Sequence, residues 1–161
     1  MASGATLRCS VRNATPKDID SITRVERRSF KHPYPKIIFM SALFLHPELF
    51  LVVDCDGKVV GYITGFVTSD NYCHIASIAV DPNFRRMGLG SRLIEVFEGR
   101  CVGMGVERVR LEVSVLNEEA LKLYRKLGYE VVERIPNYYP DSDAYLMSKH
   151  LRKSRKPTGT S

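Results

Sequence analysis

The stretch His74-Ile-Ala-Ser-Ile-Ala-Val-Asp-Pro-Asn-Phe-Arg-Arg-Met-Gly-Leu-Gly-Ser91 decides how this chain is read, because it joins a strand pattern to a helix pattern through a turn rich in arginine and glycine. The first N–H groups of a helix have no intrahelical acceptor and face outward with the positive end of the helix dipole, so such a turn is built to receive an anion. Gly88 and Gly90 carry no side chain to keep a ligand from the backbone, and Arg85 and Arg86 add fixed positive charge. The stretch therefore asks which phosphate-bearing molecule it holds.

Working outward, Tyr72 to Val80 reads as the strand that feeds the turn. Before it, Phe50–Asp54 and Val59–Val67 form a hairpin about Asp56-Gly57, with Gly61 and Gly65 leaving its register open. Leu7–Asn13 is an opening strand. Thr15-Pro16-Lys17-Asp18 combines a capping hydroxyl, a proline and an acid, and predicts a helix to about Ser29 that buries Ile19, Ile22 and Val25. The prolines of Phe30–Pro35 interrupt the pattern, and a second helix runs from Lys36 to about His46.

After the turn, Leu89, Leu93, Ile94 and Phe97 share one helical face, and Gly103 or Gly105 ends the helix. Glu107–Val115 alternates, with Val109, Leu111 and Val113 on one face and Arg110, Glu112 and Ser114 on the other. Asn117 caps a helix carrying Ala120, Leu121, Tyr124 and Leu127, stopped by Gly128. Tyr129–Arg134 and Ala144–His150 read as two last strands joined by a loop over Pro136–Asp141. This order predicts an α/β (α+β) fold with a mixed sheet between helices.

At 161 residues, 44% of them hydrophobic, the chain fits one domain over residues 1–151. The basic run 152–161 reads as a flexible tail, and the overlapping stretch from Lys149 to Pro157 carries part of the +6 net charge. That charge suits a polyanionic cosubstrate or a ribosome as well as it suits nucleic acid. No apolar run approaches the roughly 20 residues that span a bilayer, and the first residues lack a signal-peptide pattern, so the expectation is a cytoplasmic protein with no membrane partner. Cys9, Cys55, Cys73 and Cys101 make no Cys-x-x-Cys and are expected as buried thiols, with no disulfide scaffold and no metal site.

Two motifs together carry a family resemblance. Arg85-x-x-Gly88-x-Gly90 after a strand, followed by Asn117-x-x-Ala120-x-x-Leu123-Tyr124-x-x-x-Gly128-Tyr129, resembles the paired motifs of the GNAT acetyltransferase superfamily from about Arg8 to Leu151. The resemblance implies a mostly antiparallel central sheet flanked by about four helices, with acetyl-coenzyme A as cosubstrate. It implies that Arg85, Arg86, Met87, Gly88, Leu89, Gly90 and Ser91 receive the pyrophosphate, that Ile78, Ala79 and Val80 pair with the pantetheine arm, and that Asn117 and Tyr124 complete the cosubstrate contacts. Residue by residue, Asn117 is also a plain helix cap and Tyr124 a core aromatic. A phenol at position 124, however, can hydrogen-bond a departing sulfur where a leucine cannot.

An amine must lose a proton before attacking a thioester, and Glu112 is the leading candidate base, with His74 second on a neighbouring strand and a water shared between them. Without the family both read as structural side chains. Leu111-Glu112-Val113 before Asn117, and Asn137-Tyr138-Tyr139-Pro140-Asp141 running to Tyr145, resemble archaeal and eukaryotic N-terminal acetyltransferases and those of ribosomal-protein type. In these the loops holding Phe30, Pro33 and Tyr34, and Tyr138 and Tyr139, flank the entrance for the peptide. His32 replaces a glutamate usual in that first loop, which leaves the preferred first residue open.

The resemblance thus implies an enzyme acting on protein or peptide N-termini in a ternary complex, as a monomer or weak dimer, with no specific nucleic acid. Two alternatives stand beside it: acetylation of lysine or a small amine on the same fold, and a ribosome- or RNA-associated module that binds acetyl-coenzyme A without turnover.

Overall fold

The computed structural model describes residues 6–151. Seven strands are hydrogen-bonded in the order β1 (Cys9–Asn13), β2 (Phe50–Cys55), β3 (Lys58–Val67), β4 (Cys73–Val80), β5 (Arg108–Ser114), β7 (Ser142–His150) and β6 (Glu130–Tyr139). Among the described residues four α-helices accompany them: α1 (Ile19–Ser29), α2 (Lys36–Leu45), α3 (Leu89–Gly103) and α4 (Glu118–Lys126). The sheet is mixed and mostly antiparallel, as expected, with β4 and β5 parallel. Among the described residues no helix is long and apolar enough to cross a membrane.

The chain divides into two compact units, the division falling within β4 and α3. The first holds residues 6–65 and 77–97. Its core is built by Ile22 and Val25 of α1, Phe39 of α2, and Phe50, Val52 and Tyr62 of the sheet. Phe39 meets Tyr62 edge-on at 5.2 Å, the quadrupole-favoured geometry. Each such fully buried side chain adds about 1.5–3 kcal/mol over its exposed state. The entry to α1 is fastened by Asp18, whose carboxylate accepts from the Thr15 N–H at 2.8 Å and from Arg12 at 2.8 Å. The Arg12 hydrogen bond holds the Asp18 carboxyl below the usual range against the opposing effect of burial. In α2 only Phe39 is buried, while Ile37, Ile38, Met40, Phe44 and Leu45 are exposed.

The second unit holds residues 66–76 and 98–151. Val109, Leu111 and Val113 of β5 are buried, leaving Arg110, Glu112 and Ser114 on the other face as the alternation requires. Asn117 caps α4 by accepting from the Ala120 N–H at 3.1 Å, and Gly128 leaves the helix at φ +99°.

Two expectations need correction. The cysteines are paired, Cys9 with Cys55 and Cys73 with Cys101, and none among the described residues is free. Their partners lie 46 and 28 residues away, so no local motif announces them; Cys9 and Cys55 are register partners across β1 and β2. Tyr138 and Tyr139 belong to β6 instead of a loop, because a bulge with Asn137 at φ +52° lets the strand continue past Pro136. Lys149 and His150 close β7, in line with the strand expected to end at His150, and residues 152–161, expected as a tail, lie outside the described residues.

Candidate active site

In the first unit, β4 ends at Val80 and Asp81 starts a short 3-10 turn. Asp81 is buried and accepts from Asn83 N–H at 2.9 Å and Arg28 Nε at 3.0 Å, while its own N–H bonds to Val60 of β3 at 2.7 Å. The strand end is therefore anchored on both sides. Arg85 Nε then donates to the Val80 carbonyl at 3.2 Å, and the chain reverses through Arg86 at φ +63° and Gly88 at φ +74°. A Cβ at position 88 would meet nothing within 4 Å, so the glycine is there for its backbone angle.

This turn delivers the chain into α3, whose first turn carries no acid. An anion placed there meets arginines and amide donors without a competing carboxylate. The residues present therefore fit the pyrophosphate of acetyl-coenzyme A. Phe30, Pro33 and Tyr34 lie on the α1–α2 connection of the same unit; Phe30 and Tyr34 are exposed, and the Tyr34 N–H donates to Glu26 Oε1 at 3.2 Å.

In the second unit the parallel register pairs His74 with Arg110, which sets Glu112 one step along the same face. His74 Nε2 meets Glu112 Oε2 at 2.8 Å, with both side chains largely buried. The two touch directly, so no water stands between them. Arg110 Nε points at His74 Nδ1 from 3.4 Å, and its guanidinium also holds Asp70 at 3.1 Å. Because Nδ1 faces a donor, the imidazole proton belongs on Nε2, where it donates to Glu112. Phe66 stacks on the imidazole at 5.3 Å and fixes its plane. The contact engages Oε2 of Glu112.

Tyr124 is buried in α4 and meets Tyr129 edge-on at 5.9 Å. Burial pushes its phenol up to about 12. Tyr138 and Tyr139 contact each other at 4.8 Å, with Tyr138 exposed. Among the described residues no group of three or more His, Cys, Asp or Glu is arranged to hold a metal.

The sequence reading missed Arg110, Asp70 and Phe66 around His74. Arg110 had a signal: it shares a strand face with Glu112 at a spacing of two. Phe66 lies near the end of β3 and Asp70 on the β3–β4 connection, and no sequence pattern brings either to His74.

Residues 17–129 match the acetyltransferase (GNAT) family. The chain is 36% identical to an N-alpha-acetyltransferase of Sulfurisphaera tokodaii, covering 88% of this chain and 92% of that protein. Among solved structures, Ard1 from Thermoplasma volcanium superposes with a TM-score of 0.87 at 37% identity, covering 90% of this chain and 99% of that one. The ribosomal-protein-S18-alanine N-acetyltransferase of Escherichia coli superposes with a TM-score of 0.81 at 26% identity, covering 93% and 98%.

Proposed function

The chain belongs to the acetyltransferase (GNAT) family, and we propose that it moves the acetyl group of acetyl-coenzyme A onto the α-amine of protein N-termini. The observation that carries the reading is the His74–Glu112 contact, a carboxylate oriented by a histidine that is itself oriented by an arginine. Acetyl-coenzyme A supplies an activated acyl group when bound. The residues of the Arg85–Ser91 turn hold its phosphates, the backbone of Ile78–Val80 aligns its arm and polarises the acyl carbonyl, and Asn117 steadies the arm.

Glu112 takes the amine proton through one water, using the oxygen that His74 leaves unengaged. A peptide α-amine has a pKa of roughly 7.7–8.0 and lysine about 10.4, so freeing an α-amine costs about 3.5 kcal/mol less. A lone carboxylate working through water suits the easier task. Tyr124 faces the departing sulfur. A phenol at about 12 gives up its proton to an ordinary thiolate of pKa ~8.5 only at a cost of about 5 kcal/mol. Tyr124 therefore stabilises the sulfur by a hydrogen bond and keeps its proton. Phe30, Pro33, Tyr34, Tyr138 and Tyr139 line the way in for the peptide.

A peptide library varied in its first two residues, incubated with the protein and acetyl-coenzyme A and read by intact mass and fragmentation, tests the proposal. Acetylation at the α-amine is expected. Modification confined to lysine side chains or to polyamines would overturn the acceptor assignment, and binding of acetyl-coenzyme A without turnover would overturn the catalytic one.

A further inference from the structure

Glu26 is a carboxyl group in an unexpected place. It lies inside α1 and is 1% exposed, yet among the described residues none of its hydrogen-bond partners is a cation. Taking a carboxylate out of water costs several kcal/mol unless it is well supplied with donors. Glu26 has three, and they come from three different segments. The Tyr62 hydroxyl of β3 donates to Oε2, the Ser77 hydroxyl of β4 lies 3.4 Å from the same oxygen, and the Tyr34 N–H of the α1–α2 connection donates to Oε1 at 3.2 Å. Tyr62 and Ser77 are themselves linked at 2.6 Å.

Ser77 immediately precedes Ile78–Val80, and Tyr34 is one of the entrance aromatics. One buried carboxylate thus joins the connection that meets the acceptor to the strand that meets the cosubstrate, all within the first unit. Glu26 touches neither substrate nor reacting atoms. A helix packed against this sheet has no packing reason for a glutamate here, since a leucine or methionine would fill the site without the desolvation cost.

We propose that Glu26 is a positioning residue for the acceptor: by fixing the backbone at Tyr34 it holds the entrance loop in the form that binds the first residues of the peptide. This rests on the N-terminal acetyltransferase reading above. The loop of Phe30–Pro35 has no helix or strand pairing of its own, so a tie from outside the loop helps to set its path. Removing the Glu26 acceptor takes away the hydrogen bond that ties the Tyr34 backbone to α1 and so loosens the segment.

Steady-state kinetics of Glu26→Ala and Glu26→Gln against peptide and acetyl-coenzyme A test the assignment. Glu26→Ala is expected to raise the peptide KM about tenfold or more, the size of one lost hydrogen bond to a charged group, with kcat and the acetyl-coenzyme A KM within about twofold. Glu26→Gln keeps a carbonyl for the Tyr34 N–H and is expected to recover most of the loss. An unchanged peptide KM in Glu26→Ala, or a parallel fall in kcat and cosubstrate affinity, overturns the proposal.

If Glu26→Ala does not fold, amide hydrogen exchange at Tyr34 decides. Protection in the wild type, retained in Glu26→Gln, supports the tie, and exchange as fast as in an unstructured peptide defeats it. Wild-type protein that fails to acetylate any α-amine would instead sink the acceptor reading, whatever the exchange result.

Discussion

A Tyr124 that stabilises the sulfur by hydrogen bonding matters only as the bond breaks, so Tyr124→Phe is expected to lower kcat about tenfold or more with little change in acetyl-coenzyme A affinity. Pre-steady-state and equilibrium binding measurements separate the two, and an unaltered kcat would remove the hydroxyl from the chemistry. Glu26 supplies a different test. Burial, more than any other cause, raises its carboxyl above the ordinary range, while its hydrogen bonds from Tyr62, Tyr34 and Ser77 pull the other way. The folded protein then holds this proton more tightly than the unfolded chain, so stability falls as pH rises from the ordinary carboxylate range through the raised folded value. Melting curves from pH 4 to 8 should show wild type losing ground to Glu26→Gln as pH increases; parallel curves would contradict it. That His74 and Glu112 lie side by side was legible because alternation puts Glu112 on the polar face of its strand and the family resemblance sets that strand beside the one carrying His74. Glu26 was not: it sits on the helix face read as an apolar stripe, and only the tertiary structure reveals its three donors.

At the level of elements, the strand and helix order follows from periodicity and caps, and Thr15, Asn117 and Gly128 mark their boundaries where local chemistry requires. Gly61 shows what periodicity leaves out. A Cβ there would lie 2.8 Å from Val53 Cγ1 and 3.0 Å from the Ala79 carbonyl oxygen, so the residue is needed for room between β2 and the end of β4. The carbonyl cannot swing aside as a side chain could. Gly61→Ala should cost about 1–3 kcal/mol by overpacking, or about 3–10 °C in Tm, and should raise the acetyl-coenzyme A KM by displacing Ala79. Calorimetry and cosubstrate titration check both halves, and an unshifted KM would mean that β4 absorbs the strain elsewhere. The bulge at Asn137 escaped notice for a related reason: Pro136 argues for a loop in sequence, and only the pairing of Tyr139 with Ser142 shows the strand resuming.

Across the whole molecule, the basic run 152–161 contributes to the +6 net charge, and a polyanion such as the ribosome is the partner that this charge predicts. Deleting that run should leave peptide acetylation unchanged while weakening salt-sensitive association with ribosomes, measured by co-sedimentation; loss of turnover would tie the run to the catalytic domain. The disulfides act on stability. With separations of 46 and 28 residues, each removes about 4 kcal/mol of unfolded-chain entropy. Reduction should therefore lower Tm by on the order of ten degrees or more. Scans with and without reductant, paired with thiol titration, test this, and an unmoved Tm with all four thiols released would refute it. The Cys73–Cys101 link also bears on time. β4 and β5 meet in parallel, with Cys73 opposite Val109, so the chain must close a loop containing all of α3 before their first hydrogen bond forms. Such distant closures are slow steps in folding. A bond already joining Cys73 to the last turns of α3 brings β5 within a few residues of its partner, so the oxidised chain starts that search almost finished and the reduced chain starts from the beginning.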